Sequence, residues 1–490
     1  MLIKKLSVAM FAAGAVLPVQ AESPSEMELD ARLRAVETWF DLKMTRELVP
    51  AGTAALVHDQ EIVWEHAYGY ADLEAARPAE PGTTFSICSI SKLFTSIAVM
   101  DLVEEGRVDL DGEIQDYLPE LKLETGDDIV VEPVTIRGLL SHSSGLPREG
   151  TGAYWNSTDF PDVAGLEDTV NSLGLLYTPF TNYQYSNIGM SLLGKVVASV
   201  SDMDYASYVE TRILQPLALE TVTTDLPLDS DGGRFATGYT QHDATGKRGP
   251  VDPYQLNAFA PAAGFAASVR DLGNFAAWQF RLLESGESEV LERRTLRNMQ
   301  RVHWMDPGDP EAGTFGLGFS HSKIGDTPVV GHGGYCLGHR SYLAMDNKDK
   351  VAVTAMVNVN DVAPTALVSV VHGLTASALK AVAKAEDADG GDKPPEDKIS
   401  GIMEYEGVYR WPDFPMGVYV IPTAKGELQA IQLFSDSPAD SPATYVRIEG
   451  DTFRYKRKDD DLGATLTFER DGSGDIVSLL YDGYRSLKQR

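Results

Sequence analysis

The chain has 490 residues, 43% of them hydrophobic and 23% charged, with a formal net charge of -30. That length exceeds what one hydrophobic core usually organises, so two domains are expected, and the composition is globular. So large an excess of acid repels nucleic acid and anionic membrane surfaces, and neither is expected as a partner.

The first stretch, MLIKKLSVAMFAAGAVLPVQAES, carries Lys4 and Lys5, an apolar run from Leu6 to Leu17, and Val19, Gln20 and Ala21 before a polar stretch. It reads as a secretory signal peptide cut after Ala21, with an apolar run too short for a membrane span. No cysteine follows the cut to accept a lipid. Cleavage takes the net charge from -30 to -32 and implies a soluble protein in the periplasm or outside the cell. Export also makes a disulfide between the two cysteines, Cys88 and Cys336, chemically admissible.

From Thr53 to Glu74 two β-rich runs flank a turn at His58, Asp59 and Gln60, which predicts a hairpin. After Lys92, the residues Leu93, Ile97, Met100 and Val103 fall at helical spacing, and Gly106 is placed to end the helix. NIGMSLLGKVVASV and DVAPTALVSVVHGLTASALKAV read as apolar helices, the second with Asp361 in a capping position and Pro364 in its first turn. Between them, VVGHGGYCLGHRSYLAMDNKDKVAVTAMVNVN predicts three adjacent strands with turns at Gly338 and Asn347-Lys348. AEDADGGDKPPEDK, residues 385 to 398, is charged and nearly free of apolar residues, so a linker is placed over 386–398. Beyond it, about seven short alternating segments predict a small antiparallel barrel or sandwich. The organisation is therefore a signal peptide over 1–21, a first domain over 22–385, the linker, and a β-domain over 399–490.

Three short motifs carry the chemistry. FSICSISKLF sets Ser89 three residues before Lys92 at a helix start, where the Ser89 backbone N–H is placed to stabilise an oxyanion and a lysine one turn on reaches its hydroxyl. An ammonium cannot take a proton, so Lys92 must be desolvated or stand beside other donors that lower its pKa. YQYSNIG sets Tyr185 and Asn187 two apart before a helix, either facing one cleft or forming a turn with an Asn cap. In VVGHGGYC, His332, Gly333 and Gly334 follow an apolar strand, and the glycines admit either a substrate strand or a tight bend. The nine histidines are scattered without H-E-x-x-H, so no metal is assigned, and no cofactor is implied. The absence of G-x-S-x-G argues against an α/β-hydrolase fold.

In this order and spacing, S-x-x-K, Y-x-N and H-G-G resemble the active-site motifs of the penicillin-recognising serine hydrolases: class C β-lactamases, D,D-peptidases, D-aminopeptidases and related esterases. LLSHSSGLP at 139 to 147, AAGFAASVRDLGNFA at 262 to 276 and FGLGF at 315 to 319 resemble supporting segments, and the likeness covers roughly residues 30 to 385. The C-terminal segment resembles the lipocalin-like barrels appended to many members. The resemblance implies an α+β domain with a central antiparallel sheet and helices, followed by a small antiparallel barrel. It makes Ser89 the nucleophile and gives its proton to Lys92 and Tyr185 together. Asn187 would bond Lys92 and the acyl amide, and the backbone N–H groups of Ser89 and Tyr335 would form the oxyanion hole.

The third motif departs from the K-T-G of many β-lactamases, where lysine and threonine anchor a substrate carboxylate. His332, mostly neutral at pH 7, and Gly333 weaken that anchor. A neutral ester or amide, or a peptide with D-residues, is therefore favoured over a penicillin. Lys323, His339 or Arg340 could replace the anchor, or could be ordinary surface or strand residues. Arg148 and Glu149 follow SGLP, and could read an amine or carboxylate or merely face solvent. A bond between positions equivalent to Cys88 and Cys336 exists in certain class A enzymes, and here both cysteines flank one expected cleft; two buried thiols are the alternative. The competing functions are a β-lactamase or D,D-carboxypeptidase and, from another class, a non-catalytic penicillin-binding or partner-binding protein. The expected partner is a small-molecule or peptide substrate, and the sequence does not specify an oligomeric state.

Overall fold

The computed structural model describes residues 22–123, 132–228, 233–287, 289–306, 308, 313–388, 397–412 and 416–489. The expected signal peptide and most of the expected linker, residues 389–396, lie outside them.

The first helix, α1 (Pro24–Arg46), starts at a reciprocal capping box between Ser23 and Glu26, with proline in its first turn. The predicted hairpin is β1 (Ala51–His58) and β2 (Glu61–Asp72), turning at Asp59 and Gln60. Three helices follow that matter for the site: α2 (Ser91–Glu104), α3 (Asn187–Ser201) and α4 (Val269–Ser285). Then come β3 (Ser320–Ile324), β4 (Thr327–Cys336), β5 (His339–Asp346), β6 (Val351–Val357) and α5 (Pro364–Ala388). The last four elements sit where the sequence put three strands and a helix. Asp361, expected to cap α5, instead binds the Arg248 guanidinium at 2.8 Å.

Among the described residues these strands form a nine-stranded antiparallel sheet in the order Arg77–Pro78, β2, β1, β6, β5, β4, β3, Thr314–Phe315, Trp304–Met305. Its central strands are apolar at nearly every position because both faces are covered. On β6, Val351, Val353, Ala355 and Val357 pack with α1 and α5, while Ala352 and Met356 face the helical layer that holds α2 and α4. Helix α5 is long and apolar enough to cross a membrane by composition alone. Here Leu367, Val368, Val371 and Leu374 are buried against the sheet and α1.

The C-terminal strands β7 (Gly407–Arg410), β8 (Gly417–Pro422), β9 (Leu428–Gln432), β10 (Ala443–Glu449), β11 (Thr452–Lys456), β12 (Leu462–Arg470), β13 (Ile476–Tyr481) and β14 (Tyr484–Lys488) form a closed barrel. It closes where β7 pairs with β14, which removes any free edge. Alternation splits its side chains: Tyr419, Ile421 and Ile431 point outward onto α1, while Val420, Leu428 and Phe453 fill the lumen. Polar contacts fix the same seam. Trp39 Nε1 donates to the Ser435 carbonyl at 2.9 Å, and the Arg34 guanidinium pairs with Glu406 at 2.6 Å. The barrel thus docks on α1, across the sheet from α2.

Candidate active site

Ser89 lies in a single 3-10 turn, Cys88–Ile90, immediately before α2 rather than on the helix itself. Cys88 holds a left-handed φ of 50°, a conformation that costs a β-carbon-bearing residue about 1–3 kcal/mol unless its surroundings impose it. Four contacts do so. Cys88 is bonded to Cys336 with a Cα–Cα distance of 5.7 Å, so of the two readings the disulfide is the one found. Ser341 Oγ donates to the Ile87 carbonyl at 2.7 Å, Ser91 Oγ to the Cys88 carbonyl at 2.5 Å, and the Ile87 N–H to the Phe265 carbonyl at 2.9 Å. The close approach expected at the paired glycines is the protein's own: a β-carbon on Gly334 would stand 2.3 Å from the Ile87 carbonyl oxygen. Tyr335 lies between Gly334, which touches this turn, and Cys336, which is bonded to it. Its backbone therefore borders the Ser89 turn, while its side chain is 62% exposed on the other face under the Arg340 guanidinium at 5.4 Å.

Lys92 is completely buried on α2, and its nitrogen lies 3.2 Å from Ser89 Oγ. Two further contacts are shorter, 2.7 Å to Asn187 Oδ1 and 2.6 Å to the Ala262 carbonyl. Burial depresses the Lys92 pKa well below its ordinary 10.5, because charge is poorly solvated there. A neutral amine has two N–H bonds and one lone pair. In that form the two carbonyl-type oxygens would take the N–H bonds and the lone pair would be left for the Ser89 hydroxyl. Gly194 makes part of this possible: a β-carbon there would lie 2.2 Å from Pro261, whose neighbour supplies the Ala262 carbonyl.

Tyr185 and Asn187 both reach Lys92, but not from one extended loop. Ser186 caps α3 by accepting from the Gly189 N–H, and Asn187 is the first helical residue, so the cap is the serine and not the asparagine. Lys92 Nζ lies 4.8 Å from the Tyr185 ring centre, and the Tyr185 hydroxyl bonds Ser89; burial holds the phenol protonated beyond its ordinary range. Asn187 also donates to the Glu149 carboxylate, so one of its two N–H bonds is not free for an acyl amide.

His142, which the sequence offered only inside LLSHSSGLP, braces this segment. Its Nδ1 accepts from the Ser186 N–H at 3.2 Å, and its ring packs 4.3 Å from that of Tyr185. Phe315 closes the same cluster, 5.1 Å from His142 and 6.3 Å from His332.

His332 is buried and pushed down to about 3, by desolvation first and then by Lys92, so it is neutral at any pH near 7. Nδ1 donates to the Gly333 carbonyl at 2.7 Å, which leaves Nε2 as a buried lone pair with no hydrogen-bond partner. His332 therefore supplies no cation at the position of the carboxylate anchor. Nor do the substitutes fill that place. Lys323 pairs in register with Pro328, four residues and roughly 13 Å along β4 from His332. His339 is buried between Phe85 and Phe235 and is itself pushed down to about 3. Arg340 lies with Tyr335, on the strand face away from Cys336.

Glu149 faces the site rather than solvent. One carboxylate oxygen accepts from Asn187 and pairs with the Arg148 guanidinium at 3.6 Å, the Trp155 side chain also bonds the carboxylate, and the other oxygen, Oε2, is buried. Burial raises its pKa, and the Arg148 guanidinium beside it lies 4.9 Å from the Tyr185 ring centre.

The chain is similar to several known proteins. Protein flp of Staphylococcus aureus is 23% identical over 326 residues, 66% of this chain and 62% of that relative, so the match spans less than two thirds of the relative's length. A D-aminopeptidase of Brucella anthropi is 25% identical over 457 residues, 89% of this chain and 79% of the relative. The octameric penicillin-binding protein homologue from Pyrococcus abyssi, 22% identical, superposes with a TM-score of 0.59 over 93% of this chain and 100% of its own, which shows a common fold. The family described as Beta-lactamase matches residues 36–369, a span that contains Ser89, Lys92, Tyr185 and His332, and the chain belongs to that family of serine hydrolases.

Proposed function

We propose that this protein hydrolyses amides or short peptides that begin with a free amine, D-residues included, through an acyl-enzyme on Ser89. The observation that carries the reading is the Glu149 carboxylate, an acidic group buried beside Lys92 and Asn187 where it can accept from a substrate ammonium. The neutral His332 and Gly333 point the same way, since they offer a substrate carboxylate nothing to bind. The likeness to a D-aminopeptidase supports it. A β-lactamase or D,D-carboxypeptidase would need the missing cation, and a non-catalytic binder would not need a lysine freed of its proton.

In this mechanism Ser89 Oγ attacks the scissile carbonyl as its proton passes to neutral Lys92, and the developing oxyanion is held by the Ser89 and Tyr335 backbone N–H groups. Protonated Tyr185 gives its proton to the leaving nitrogen as the C–N bond breaks, and recovers one from Lys92. Water then attacks the ester. Its proton goes to the Tyr185–Lys92 pair, Ser89 regains its own, and the free acid leaves. The N-terminal signal-like stretch and the disulfide support placing this activity in the periplasm or outside the cell.

The test compares D- and L-amino acid p-nitroanilides, their N-acetyl forms, short-chain p-nitrophenyl esters and a chromogenic cephalosporin, with Ser89→Ala beside the wild type. Turnover of free-amine substrates that vanishes in the variant is expected, with little cephalosporin hydrolysis. A preference for N-acetyl substrates would remove the amine site. Failure of Ser89 to label with a fluorophosphonate would remove the catalytic assignment altogether.

A further inference from the structure

The loop that supplies Glu149 also supplies Arg148, so two adjacent residues present opposite charges at the site. The backbone of Arg148 is held: its carbonyl accepts from the N–H groups of Asn187 at 2.9 Å and Ile188 at 3.4 Å, which ties the loop to the start of α3. Its side chain is free by comparison. It is 62% exposed, its Nε lies 3.6 Å from Glu149 Oε1, and among the described residues the guanidinium makes no hydrogen bond. The pair offsets part of the Glu149 charge and leaves the planar fork of guanidinium donors unused.

Tyr185 defines what that fork faces. The guanidinium lies over the phenol ring, 4.9 Å from its centre, and Lys92 stands 4.8 Å from the same centre. Because Tyr185 protonates the leaving nitrogen in the mechanism above, the group that carries this nitrogen passes within reach of Arg148. A nitrogen hydrogen-bonded to the Tyr185 hydroxyl sits about 3 Å from it. In an amino acid the carboxylate carbon lies roughly 2.5 Å beyond the nitrogen, close enough for the two parallel hydrogen bonds that arginine makes to a carboxylate. The spacing of the charges agrees as well. The ammonium and carboxylate of a dipeptide hang from consecutive Cα atoms, about 3.8 Å apart across a trans peptide. The Arg148 and Glu149 heads are 3.6 Å apart, one over Tyr185 and the other bonded to Asn187.

Resting on the free-amine reading above, we infer that the preferred substrates are dipeptides: the ammonium of the first residue pairs with Glu149, and the terminal carboxylate of the leaving residue pairs with the Arg148 guanidinium. Arg148 is then a specificity-determining residue, and it supplies from another direction the cation that His332 does not. The free enzyme keeps the two charges against each other, and a zwitterionic substrate separates and satisfies both. Cleavage consumes one water and releases two amino acids.

Four substrates with one acyl group and one scissile bond test this: D-alanyl-glycine, D-alanyl-glycinamide and the N-acetyl form of each. In wild type the free acid is expected to exceed the amide about tenfold in kcat/KM, the low end for a charged hydrogen bond because Arg148 is exposed. Arg148→Gln should bring the acid-to-amide ratio near one and Arg148→Glu below one, whatever the overall rate. Arg148→Lys should keep part of the preference, since it retains the charge without the fork. Should the Gln and Glu variants fail to fold, the wild-type ratio and its partial loss in Arg148→Lys decide the matter. A residue that only supported the loop would slow acid and amide alike, and an unchanged ratio in Arg148→Gln would overturn the inference. Equal cleavage of D-alanyl-glycine and D-alanyl-glycinamide by wild type would overturn it while leaving the free-amine reading intact. Acetylated dipeptides cleaved as fast as free ones would instead remove the ammonium half through Glu149, with the acid-to-amide ratio still reporting on Arg148.

Discussion

Gly334 on β4 and Ile87, two residues ahead of Ser89, are so close that a single methyl group would not fit between them. Together with the Cys88–Cys336 bond, this contact sets strand β4 against the turn that carries Ser89. Gly334→Ala is expected to lower stability by about 1–3 kcal/mol, the usual cost of overpacking, and to reduce kcat by more than that loss explains, because Ser89 is displaced. Gly333→Ala is the control. Its β-carbon would meet only the Tyr342 ring at 3.3 Å, so denaturation and turnover should change little. Equal damage from both substitutions would count against the contact.

Lys92 links stability to pH with a definite sign. Its folded pKa lies below its unfolded value near 10.5, so between the two the unfolded chain binds more protons and stability rises with pH. Below the folded pKa the contribution is fully lost. Wild type measured against Lys92→Met by denaturant midpoint should gain relative stability from pH 7 to pH 10, and a flat difference would show that Lys92 keeps its charge. The same variant should lose about 10²–10⁴ in kcat.

For Glu149 the sign concerns binding. With a raised pKa, its carboxylate is present above that value and becomes a neutral acid as pH falls through it. Affinity for free-amine substrates should decline over that acid range, while N-acetyl substrates show no such limb. Glu149→Gln should cost about 10- to 150-fold in kcat/KM for the amine substrates, the worth of a charged hydrogen bond, and leave the acetylated ones nearly unchanged.

The Cys88–Cys336 bond spans 248 residues of sequence and ends beside Ser89. Cys336→Ala, or reduction, should lower stability by about 2–4 kcal/mol. Fluorophosphonate labelling of Ser89 should slow even at temperatures where the reduced protein stays folded, because the left-handed φ at Cys88 loses a restraint. Unchanged labelling would make the bond purely a staple.

The site was more legible than the layout. S-x-x-K, Y-x-N and H-G-G identify their partners because each is local, one helical turn or one strand segment long, and their chemistry constrains residue type. What the sequence hid was supplied by backbone or by shape. The Ala262 carbonyl could be any residue's, His142 looks like any loop histidine, and the second role of Asn187 toward Glu149 depends on folding two loops together. The hairpin and the three strands followed from alternation and turn residues. The barrel's strands were also visible, but its seat on α1 was not, since Tyr419, Ile421 and Ile431 look like ordinary alternating strand residues until a partner is known.

That seat joins the start of the chain to its end. Trp39 is held by the Ser435 carbonyl, 396 residues later, and α1 is wedged between the sheet and the barrel. A polypeptide emerging in order must therefore leave the outer surface of its first helix uncovered until β8 and β9 exist. The barrel-facing surface of α1 is therefore the last part of the first domain to be covered. Docking of the two domains waits for nearly the whole chain.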